Sequence, residues 1–408
     1  MSKLAIKGGS KLRTKTFPEW PIFGLSDEAA VVEVIRSGKW GRSAGTKVQA
    51  FEEAFARYHE ARYSVATFNG TVSLRIALLA AGLEAGDEVI VPPYTFLATA
   101  SAVVEANGTP IFVDIEPDTC NLDPTKIEAA ITPRTRAIMP VHFGGQAADM
   151  DRILAIARRH KLVVIEDSAH AHGAMYKGHK VGALGDIGSF SFQSSKNLTS
   201  GEGGILISNN EQYAALCRSS QNCGRVQGGA WYEHHRIGGN YRMSELQGAL
   251  LLAQFARLEE QTVRRDTNGL LLNELLSGIP GIAPMTRGHG ETRHSYHVYS
   301  FRYDAAAFGG VSRERFLAAL NAEGIPATAG YPMGLYSQPL FAKKAFGPYT
   351  GWRNARKELP YDPIDFPVCE AVCRDACWLS QNMLLADRSD MQDIADAVRK
   401  VLKHPEAL

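Results

Sequence analysis

Residues 162–173 read LVVIEDSAHAHG, and this stretch indicates the fold of the chain. Its apolar residues run without alternation into the acidic pair Glu166 and Asp167, and small residues with two histidines follow. A strand that is apolar on both faces is typical of a parallel sheet that helices cover on both sides. Ligands of such sheets bind at the carboxyl ends of the strands. The residues from Asp167 onward are therefore the first place to look for a functional site.

The segments around this stretch repeat a pattern of short β-rich runs and helical runs. The runs that we predict as strands are 64–67, 88–91, 111–114, 137–142, 162–166, 187–192 and 204–207. The runs that we predict as helices are 71–81, 97–107, 124–130, 150–160 and one long helix over 244–277. Strands that alternate with helices at this spacing predict an α/β fold with a mostly parallel sheet.

The pattern changes after the long helix. A strand-like run over 296–303 is combined with helical runs over 313–323 and 388–403. We interpret this part as a smaller C-terminal α+β domain. The predicted division is an N-terminal arm with a large domain over residues 1–265, and a small domain over residues 266–408.

The composition is that of a globular protein. The chain has 408 residues, of which 45% are hydrophobic and 21% charged, with a net charge of +1. These values exclude a disordered or fibrous chain, and the balance of charge gives no support for a nucleic-acid or anionic-membrane partner. No run approaches the roughly 18 apolar residues of a membrane span, and the opening MSKLAIKGGSKLR lacks the apolar core of a signal peptide. We therefore expect a cytoplasmic protein.

Four loops that follow predicted strands carry residues suited to one cofactor. Gly70 and Thr71 open a helix, where free N–H groups and a hydroxyl suit a phosphate. Phe96 follows the second strand and offers a flat face for stacking. Asp167 ends an apolar strand, where an ionised carboxylate requires a cation or strong donors. Lys196 lies among small and polar residues between two strands, and an amine whose pKa its surroundings lower can form an imine.

Pyridoxal phosphate needs such features together: a lysine for the imine, an acid for the ring nitrogen, a phosphate cradle and a stacking face. Taken alone, each feature has an ordinary structural explanation, such as a helix cap. Their combination in strand-exit loops indicates the cofactor. This chain supplies them with Lys196, Asp167, the cradle residues Gly70, Thr71 and Ser191, and Phe96.

A metal site is a rival interpretation of the loop after Asp167. His170 and His172 beside a carboxylate resemble metal ligands. No HExxH motif is present, and His142 is the only further histidine at a neighbouring strand exit. We therefore expect no metal. The six cysteines are too scattered for a disulfide scaffold, and we expect the three closest together to be buried as small hydrophobes: Cys369, Cys373 and Cys377.

These residues lie in motifs that resemble the DegT/StrS family of pyridoxal-phosphate-dependent sugar aminotransferases, of fold type I in the aspartate aminotransferase superfamily. The resemblance extends from about residue 36 to about residue 265, and within it the matching stretches follow the family's order: FNGTVSLRIAL, GDEVIVPPYTFLATASAV, PIFVDIEPDTCNLD, AIMPVHFGGQAADMD, VVIEDSAHAHGA, GDIGSFSFQSSKNLTSGEGGILI and GGNYRMSELQGAL. The resemblance implies an α/β large domain whose mostly parallel, seven-stranded sheet is flanked by helices, with a smaller α+β domain after it.

The resemblance also implies roles for individual residues. Lys196 would bond the aldehyde of the cofactor and shuttle protons, and Asp167 would hold the ring nitrogen protonated. The other implied contacts are Phe96 on the ring, His170 near the ring hydroxyl, Gly70, Thr71 and Ser191 at the phosphate, and Asn240 at the phosphate of the neighbouring subunit. Because Asn240 would serve the neighbour, the resemblance implies a homodimer with shared active sites.

The substrate is less closely specified. The stretches LAIKGGSKLR, PEWP and FRYDAAAFGG resemble the branch that aminates inososes and related cyclitols in aminoglycoside pathways. We expect an amino group to move from Gln or Glu to a keto-cyclitol or keto-sugar such as scyllo-inosose. Nucleotide-linked keto-sugar aminotransferases and enzymes like the aminohydroxybenzoate synthases stay open as alternatives. The predicted substrate contacts are His234, His235, Arg236 and Tyr331, although an exposed polar loop also explains the first three.

Two other kinds of function stay open on the same fold. A lyase or retro-aldol enzyme would release pyruvate, ammonia or glycine from an amino acid without a ketone acceptor. A regulatory protein that only binds pyridoxal phosphate would form the imine but transfer no amino group. Lys196, Asp167 and the sugar-branch motifs together favour the aminotransferase.

Overall fold

The computed structural model describes residues 3–354 and 362–408. Its strands are β1 (Tyr63–Thr67), β2 (Glu88–Val91), β3 (Thr109–Phe112), β4 (Thr135–Ile138), β5 (Val163–Asp167), β6 (Met175–Tyr176), β7 (His179–Lys180), β8 (Ile187–Ser191), β9 (Gly204–Ser208), β10 (Ile282–Pro284), β11 (Glu291–Arg293), β12 (Val298–Tyr303), β13 (Thr328–Ala329) and β14 (Ala376–Ser380). Its α-helices are α1 (Leu25–Ser37), α2 (Lys47–Tyr58), α3 (Gly70–Ala80), α4 (Ala98–Glu105), α5 (Pro124–Ala130), α6 (Met150–His160), α7 (Glu211–Gln221), α8 (Glu245–Phe255), α9 (Leu258–Leu276), α10 (Arg313–Ala322), α11 (Pro339–Ala342), α12 (Pro367–Asp375) and α13 (Arg388–Leu402).

A seven-stranded sheet forms the centre of the larger part, in the order β1-β9-β8-β5-β4-β2-β3. Strands β8, β5, β4, β2 and β3 pair in parallel, and β9 runs antiparallel to both of its neighbours. The predicted mostly parallel sheet is therefore confirmed. The strands β1, β2, β5 and β8 all end at the same edge, which places the loops after them side by side.

Alternate residues of the strands face two separate apolar cores. In β2, Val89 and Val91 pack with residues of α3 and α4 in one core, whereas Ile90 packs with residues of α5 and α6 in the other. In β5, Ile165 and Val164 divide between the same two cores. The unbroken apolar run at 162–165 thus has the cause that we expected, because both faces of its strand are covered.

The later part of the chain forms a four-stranded antiparallel sheet, in the order β10-β12-β14-β13. Phe316 of α10 and Ile394 of α13 belong to the core on this sheet. The expected smaller α+β part is therefore present. The predicted domain boundary, between residues 265 and 266, falls inside α9. Leu272, near the end of α9, also belongs to the core on the four-stranded sheet. The division at that position stays a prediction.

The N-terminal arm, residues 3–24, packs against the core on the four-stranded sheet. Leu4 and Phe17 are buried in it. The guanidinium of Arg13 binds the carboxylates of Asp390 (2.7 Å) and Asp393 (2.6 Å) on α13. The arm is therefore held by residues from the far end of the chain.

Two features differ from a simple extrapolation of the sequence pattern. The predicted helix over 244–277 is two helices, α8 and α9, because the chain turns at Arg257, whose guanidinium binds Asp27 of α1 (2.9 Å). The three neighbouring cysteines are all buried, as expected, but they do not share one helix, because α12 ends before Cys377.

Within the described part of the chain, no helix combines the length and apolar character of a membrane span.

Candidate active site

A cavity of about 620 Å³ lies at the edge where β1, β2, β5 and β8 end. The loops after these strands supply most of its wall. The second, smaller part of the chain closes one side with His297 and Tyr331. The predicted site residues that line the cavity are Gly70, Thr71, Phe96, Asp167, His170, Ser191, Lys196 and Tyr331. The structure thus brings most of the predicted residues to one place.

Asp167 is the last residue of β5 and is buried at the floor of the cavity. The hydroxyl of Thr99 donates to its Oδ2 (2.8 Å), and the N–H of Ala169 donates to its Oδ1 (3.2 Å). Burial raises the pKa of Asp167, and the Thr99 hydrogen bond opposes that shift. Since burial penalises the ionised carboxylate, a cation in the cavity would bind to it favourably.

Lys196 lies in the loop between β8 and β9, residues 192–203, which we call the lysine loop. The backbone N–H of Lys196 donates to the carbonyl oxygen of Gln193 (2.9 Å), and the half-buried side chain of Lys196 lines the cavity. Burial lowers the pKa of the amine to about 8, while the Asp167 carboxylate opposes the shift. Roughly one amine in ten is then neutral at pH 7. The neutral amine is the nucleophilic form.

The start of α3 forms an anion cradle. The side chain of Asn69 caps the helix by accepting a hydrogen bond from the Val72 N–H (2.9 Å). The first N–H groups of a helix have no partner within it and suit an anion. Gly70 lies so close to β8 that an added Cβ would stand 2.6 Å from the Cβ of Ser191. Only glycine allows this approach, and both Thr71 and Ser191 line the cavity beside it.

Two imidazole rings stack in the wall of the cavity. The ring centroids of His170 and His297 are 4.3 Å apart, with an angle of 27° between the planes. Gly144 fixes both residues: its N–H donates to His170 Nδ1 (3.3 Å), and its carbonyl accepts from the His297 N–H (2.7 Å). Because Nδ1 of His170 accepts, its proton lies on Nε2. Burial holds the pKa of both rings well below the usual range, so both are neutral at physiological pH.

The other two histidines near Asp167 have different surroundings. His172 packs against the rings of Phe190 (5.5 Å) and Phe192 (5.6 Å). His142 Nε2 lies 2.9 Å from Glu166, and both side chains are fully buried. In the part of the chain that the structure describes, no group of three His, Cys, Asp or Glu side chains is arranged to hold a metal ion.

Four predicted site residues do not line the cavity of their own chain: Asn240, His234, His235 and Arg236. They lie in the segment 225–241, whose base is closed by hydrogen bonds from the His235 N–H to Gly224 O and from the Cys223 N–H to Gly239 O (2.8 Å each). The segment carries the exposed side chains Trp231 (77%), Tyr232 (78%) and Ile237 (88%). The segment therefore lies outside the cavity of its own chain. The roles expected for its four predicted residues in a neighbour's site stay predictions.

Sequence reasoning missed Thr99 and His297. Thr99 lies in the first turn of α4, four residues after Thr95 in the loop that follows β2, and the two hydroxyls are 3.0 Å apart. Two threonines directly after a strand were a usable signal, because residues that follow the strands of a parallel sheet line its ligand sites. His297 precedes β12 in the second sheet, and no local pattern connects it with Lys196.

The mostly parallel sheet and a cavity at its carboxyl edge, with a lysine and a buried carboxylate facing into it, define a transferase of fold type I. The chain belongs to the DegT/DnrJ/EryC1/StrS aminotransferase family, whose sequence model matches residues 24–399. The predicted family, fold and enzyme class are therefore confirmed.

The chain is similar to aminotransferases over its whole length. A relative from Streptoalloteichus tenebrarius, named putative L-glutamine:3-amino-2,3-dideoxy-scyllo-inosose aminotransferase, is 42% identical over 418 residues, with 100% of this chain and 99% of the relative covered. The L-glutamine:2-deoxy-scyllo-inosose aminotransferase of Streptomyces fradiae is 39% identical, with 99% of this chain and 98% of the relative covered. The crystal structure of 3-amino-5-hydroxybenzoic acid synthase has a TM-score of 0.87 at 32% identity, and covers 96% of this chain and 100% of its own.

Proposed function

We propose that the chain is a pyridoxal-phosphate-dependent aminotransferase that moves an amino group from L-glutamine to a keto-cyclitol, 2-deoxy-scyllo-inosose or a close relative of it. One observation carries the proposal: the Lys196 amine and the buried Asp167 carboxylate face the same cavity as the helix start at Gly70. The names of the relatives support the donor and the acceptor. The product would serve the biosynthesis of an aminoglycoside or another amino sugar. The location of the protein in the cytoplasm stays a prediction.

The residues of the cavity fit this cofactor. A buried carboxylate such as Asp167 is costly without a cation, and a protonated ring nitrogen would supply one. The close approach of Gly70 to Ser191 leaves helix N–H groups and two hydroxyls for a phosphate. Pyridoxal phosphate bound there supplies an aldehyde that bonds amines and a ring that withdraws electrons from them.

The other residues of the cavity would hold the cofactor in place. Asp167 would keep a proton on the ring nitrogen, while the Thr99 hydroxyl keeps Oδ2 in place. Phe96 would lie against the ring, and the Nε2–H of His170 would donate to the ring hydroxyl. The phosphate would bind to the first N–H groups of α3 and to the hydroxyls of Thr71 and Ser191.

Lys196 acts as the base of the reaction. Its Nζ takes a proton from the α-carbon of the amino-acid donor, and in the second half it delivers a proton to the former carbonyl carbon of the acceptor. A pKa of about 8 suits both directions of transfer near neutral pH. Donor and acceptor use the same cavity in turn, so the kinetics are ping-pong.

A second copy of this chain would complete the site. The exposed aromatic and aliphatic side chains of the segment 225–241 support this, because a monomer seldom exposes several large apolar residues together. In a homodimer the segment would bring Asn240 to the phosphate end of the other cavity. His234, His235 and Arg236 would then contact the donor carboxylate or the hydroxyls of the acceptor, with Tyr331 on the opposite wall.

The test is a panel of donors and acceptors. The visible band of the lysine-bound cofactor is expected to disappear with L-glutamine and to return with 2-deoxy-scyllo-inosose. Lys196→Ala removes the band, whereas Lys403→Ala, at an exposed lysine after α13, keeps it.

The panel separates the proposed reaction from its rivals. Faster return of the band with nucleotide-linked keto-sugars would show that the acceptor class is wrong. Release of pyruvate, ammonia or glycine without an acceptor would identify a lyase. A band that no amino acid discharges would identify a protein that only binds the cofactor.

A further inference from the structure

The N-terminal motif PEWP, residues 18–21, has no task in the function proposed above, yet it lies against the lysine loop. The indole N–H of Trp20 donates to the carbonyl oxygen of Ser194 (3.1 Å). Ser194 precedes Lys196 by two residues. The bond therefore joins the N-terminal arm to the backbone beside the lysine.

The lysine loop is anchored unequally on its two sides. After the lysine, Asn197 is buried, and its Nδ2 donates to a backbone carbonyl outside the loop (2.7 Å). Before the lysine, the Lys196 N–H donates to Gln193 O (2.9 Å) and the Gln193 side chain bonds the hydroxyl of Ser194 (2.7 Å), both within the loop, while the Gln193 N–H makes a long bond to the Ser191 hydroxyl of β8 (3.4 Å). Trp20 supplies an anchor from outside on this exposed side.

The arm holds Trp20 in place through its neighbours on both sides. The Nδ2 of Asn382 donates to the carbonyl oxygen of Pro18 (2.6 Å). The Nε2 of Gln254 donates to the carbonyl oxygen of Ile22 (3.0 Å). The backbone around Trp20 is thus tied to two distant parts of the chain.

A buried cation holds the indole ring itself. The guanidinium carbon of Arg265 lies 5.2 Å from the ring centroid of Trp20. Arg265 is fully buried, and its Nε donates to Gln381 (2.8 Å). Among the residues that the structure describes, its two terminal nitrogens have no hydrogen-bond partner. Because a buried charge without an anion is costly, and an aromatic face attracts a cation most strongly where water is excluded, the ring compensates Arg265.

We propose that Trp20 is a positioning residue for Lys196: through Ser194 it fixes the backbone of the lysine loop, and thereby the place of the amine in the cavity. The inference rests on the proposed function, in which that amine reacts. It also explains why the position carries tryptophan, since the indole combines an N–H donor with a wide ring face for Arg265.

The test compares Trp20→Phe with Trp352→Phe. The first change keeps a ring over Arg265 and removes the donor to Ser194. Trp352 is a matched control, because its N–H also donates to a backbone carbonyl (3.1 Å) and its side chain does not line the cavity.

The first measurement uses protein without cofactor. The rate at which an acylating reagent modifies Lys196 is followed against pH by peptide mass spectrometry. We expect the midpoint of the wild type near the pKa of about 8, and an upward shift in Trp20→Phe, because a loosened lysine gains water. The second measurement is the release of pyridoxal phosphate from loaded protein, which is expected to be several-fold faster in Trp20→Phe. The control variant should match the wild type in both.

A folded Trp20→Phe protein with the wild-type labelling profile and release rate would overturn the inference. Should this variant unfold, Asn382→Ala releases the arm at Pro18 and keeps the indole, and it must then give the same upward shift. The failure of the proposed function is distinguishable, since it would show as a wild type that binds no pyridoxal phosphate. The labelling profile would still report whether Trp20 controls Lys196.

Discussion

Replacing Thr99 by valine removes one hydroxyl from the floor of the cavity and nearly conserves the shape of the side chain. The change deletes the 2.8 Å hydrogen bond to Asp167 Oδ2. A hydrogen bond to a charged group is worth about 1.5–3 kcal/mol, and a buried acceptor has no water to replace it. At about 1.4 kcal/mol for each factor of ten, this corresponds to a roughly 10- to 150-fold effect.

The direction follows from the charge on Asp167. Without the donor, the ionised carboxylate is less stable and its pKa rises further above the usual range than burial already raises it. The ion pair with a protonated ring nitrogen then weakens, so amino transfer slows. The assay is a single turnover with saturating L-glutamine, followed by the loss of the visible cofactor band.

Two further variants control this prediction. Thr99→Ser keeps the donor and should stay within about threefold of the wild type, since it loses only a methyl group. Thr125→Val removes a similar bond, from Thr125 Oγ1 to Asp123 (2.6 Å), at an exposed helix start, and should change nothing. A folded Thr99→Val protein with the wild-type rate constant would refute the reasoning that Asp167 depends on Thr99.

Three other predictions address the cradle, the amine and the second copy of the chain. Gly70→Ala places a Cβ 2.6 Å from the Cβ of Ser191, so the Kd for pyridoxal phosphate should rise at least about tenfold in an absorbance titration, whereas Gly24→Ala, where an added Cβ meets nothing within 4 Å, should leave it unchanged. The rate of cofactor attachment to the empty protein should rise roughly tenfold from pH 7 to pH 9, because the neutral fraction of Lys196 rises through a pKa of about 8, and a rate independent of pH would contradict this. Ile237→Ser should favour monomers in sedimentation velocity, while Ile364→Ser, another exposed isoleucine (80%), should not; unchanged dimers in the first variant would argue against the segment 225–241 as an interface.

The elements that could be predicted with their bounds are those with strong local signals. The helices Pro124–Ala130 and Met150–His160 begin where predicted because Asp123 and Asp149 cap them, accepting from the N–H groups of Thr125 (2.9 Å) and Arg152 (3.3 Å). Such signals lie within a few residues of the element that they control. The residues in the loops after single strands could also be assigned to the cavity, because each lies next to the strand that positions it.

The features that sequence reasoning missed depend on contacts between distant residues. At the turn between α8 and α9, Arg257 binds Asp27 across the fold, and no periodicity in the helix reveals this contact. His297 reaches the cavity because the second sheet packs beside the first, through Gly144. The roles predicted for His234, His235 and Arg236 stay predictions, because their segment, 225–241, lies outside the cavity of its own chain and is tied by backbone bonds such as the one from the Cys223 N–H to Gly239 O.

The pairing of Arg13 with Asp390 has a consequence for how the protein is made. The two residues are 377 positions apart, and at about 5–20 residues per second the ribosome needs roughly 20–75 s to synthesise the chain between them. The other buried residues of the core that contains Leu4 and Phe17 begin at Leu272, so these two residues wait for the last third of the chain. The contact between the N-terminal arm and α13 therefore forms only when translation is almost complete, and a stop codon before α13 would remove both carboxylates that bind Arg13.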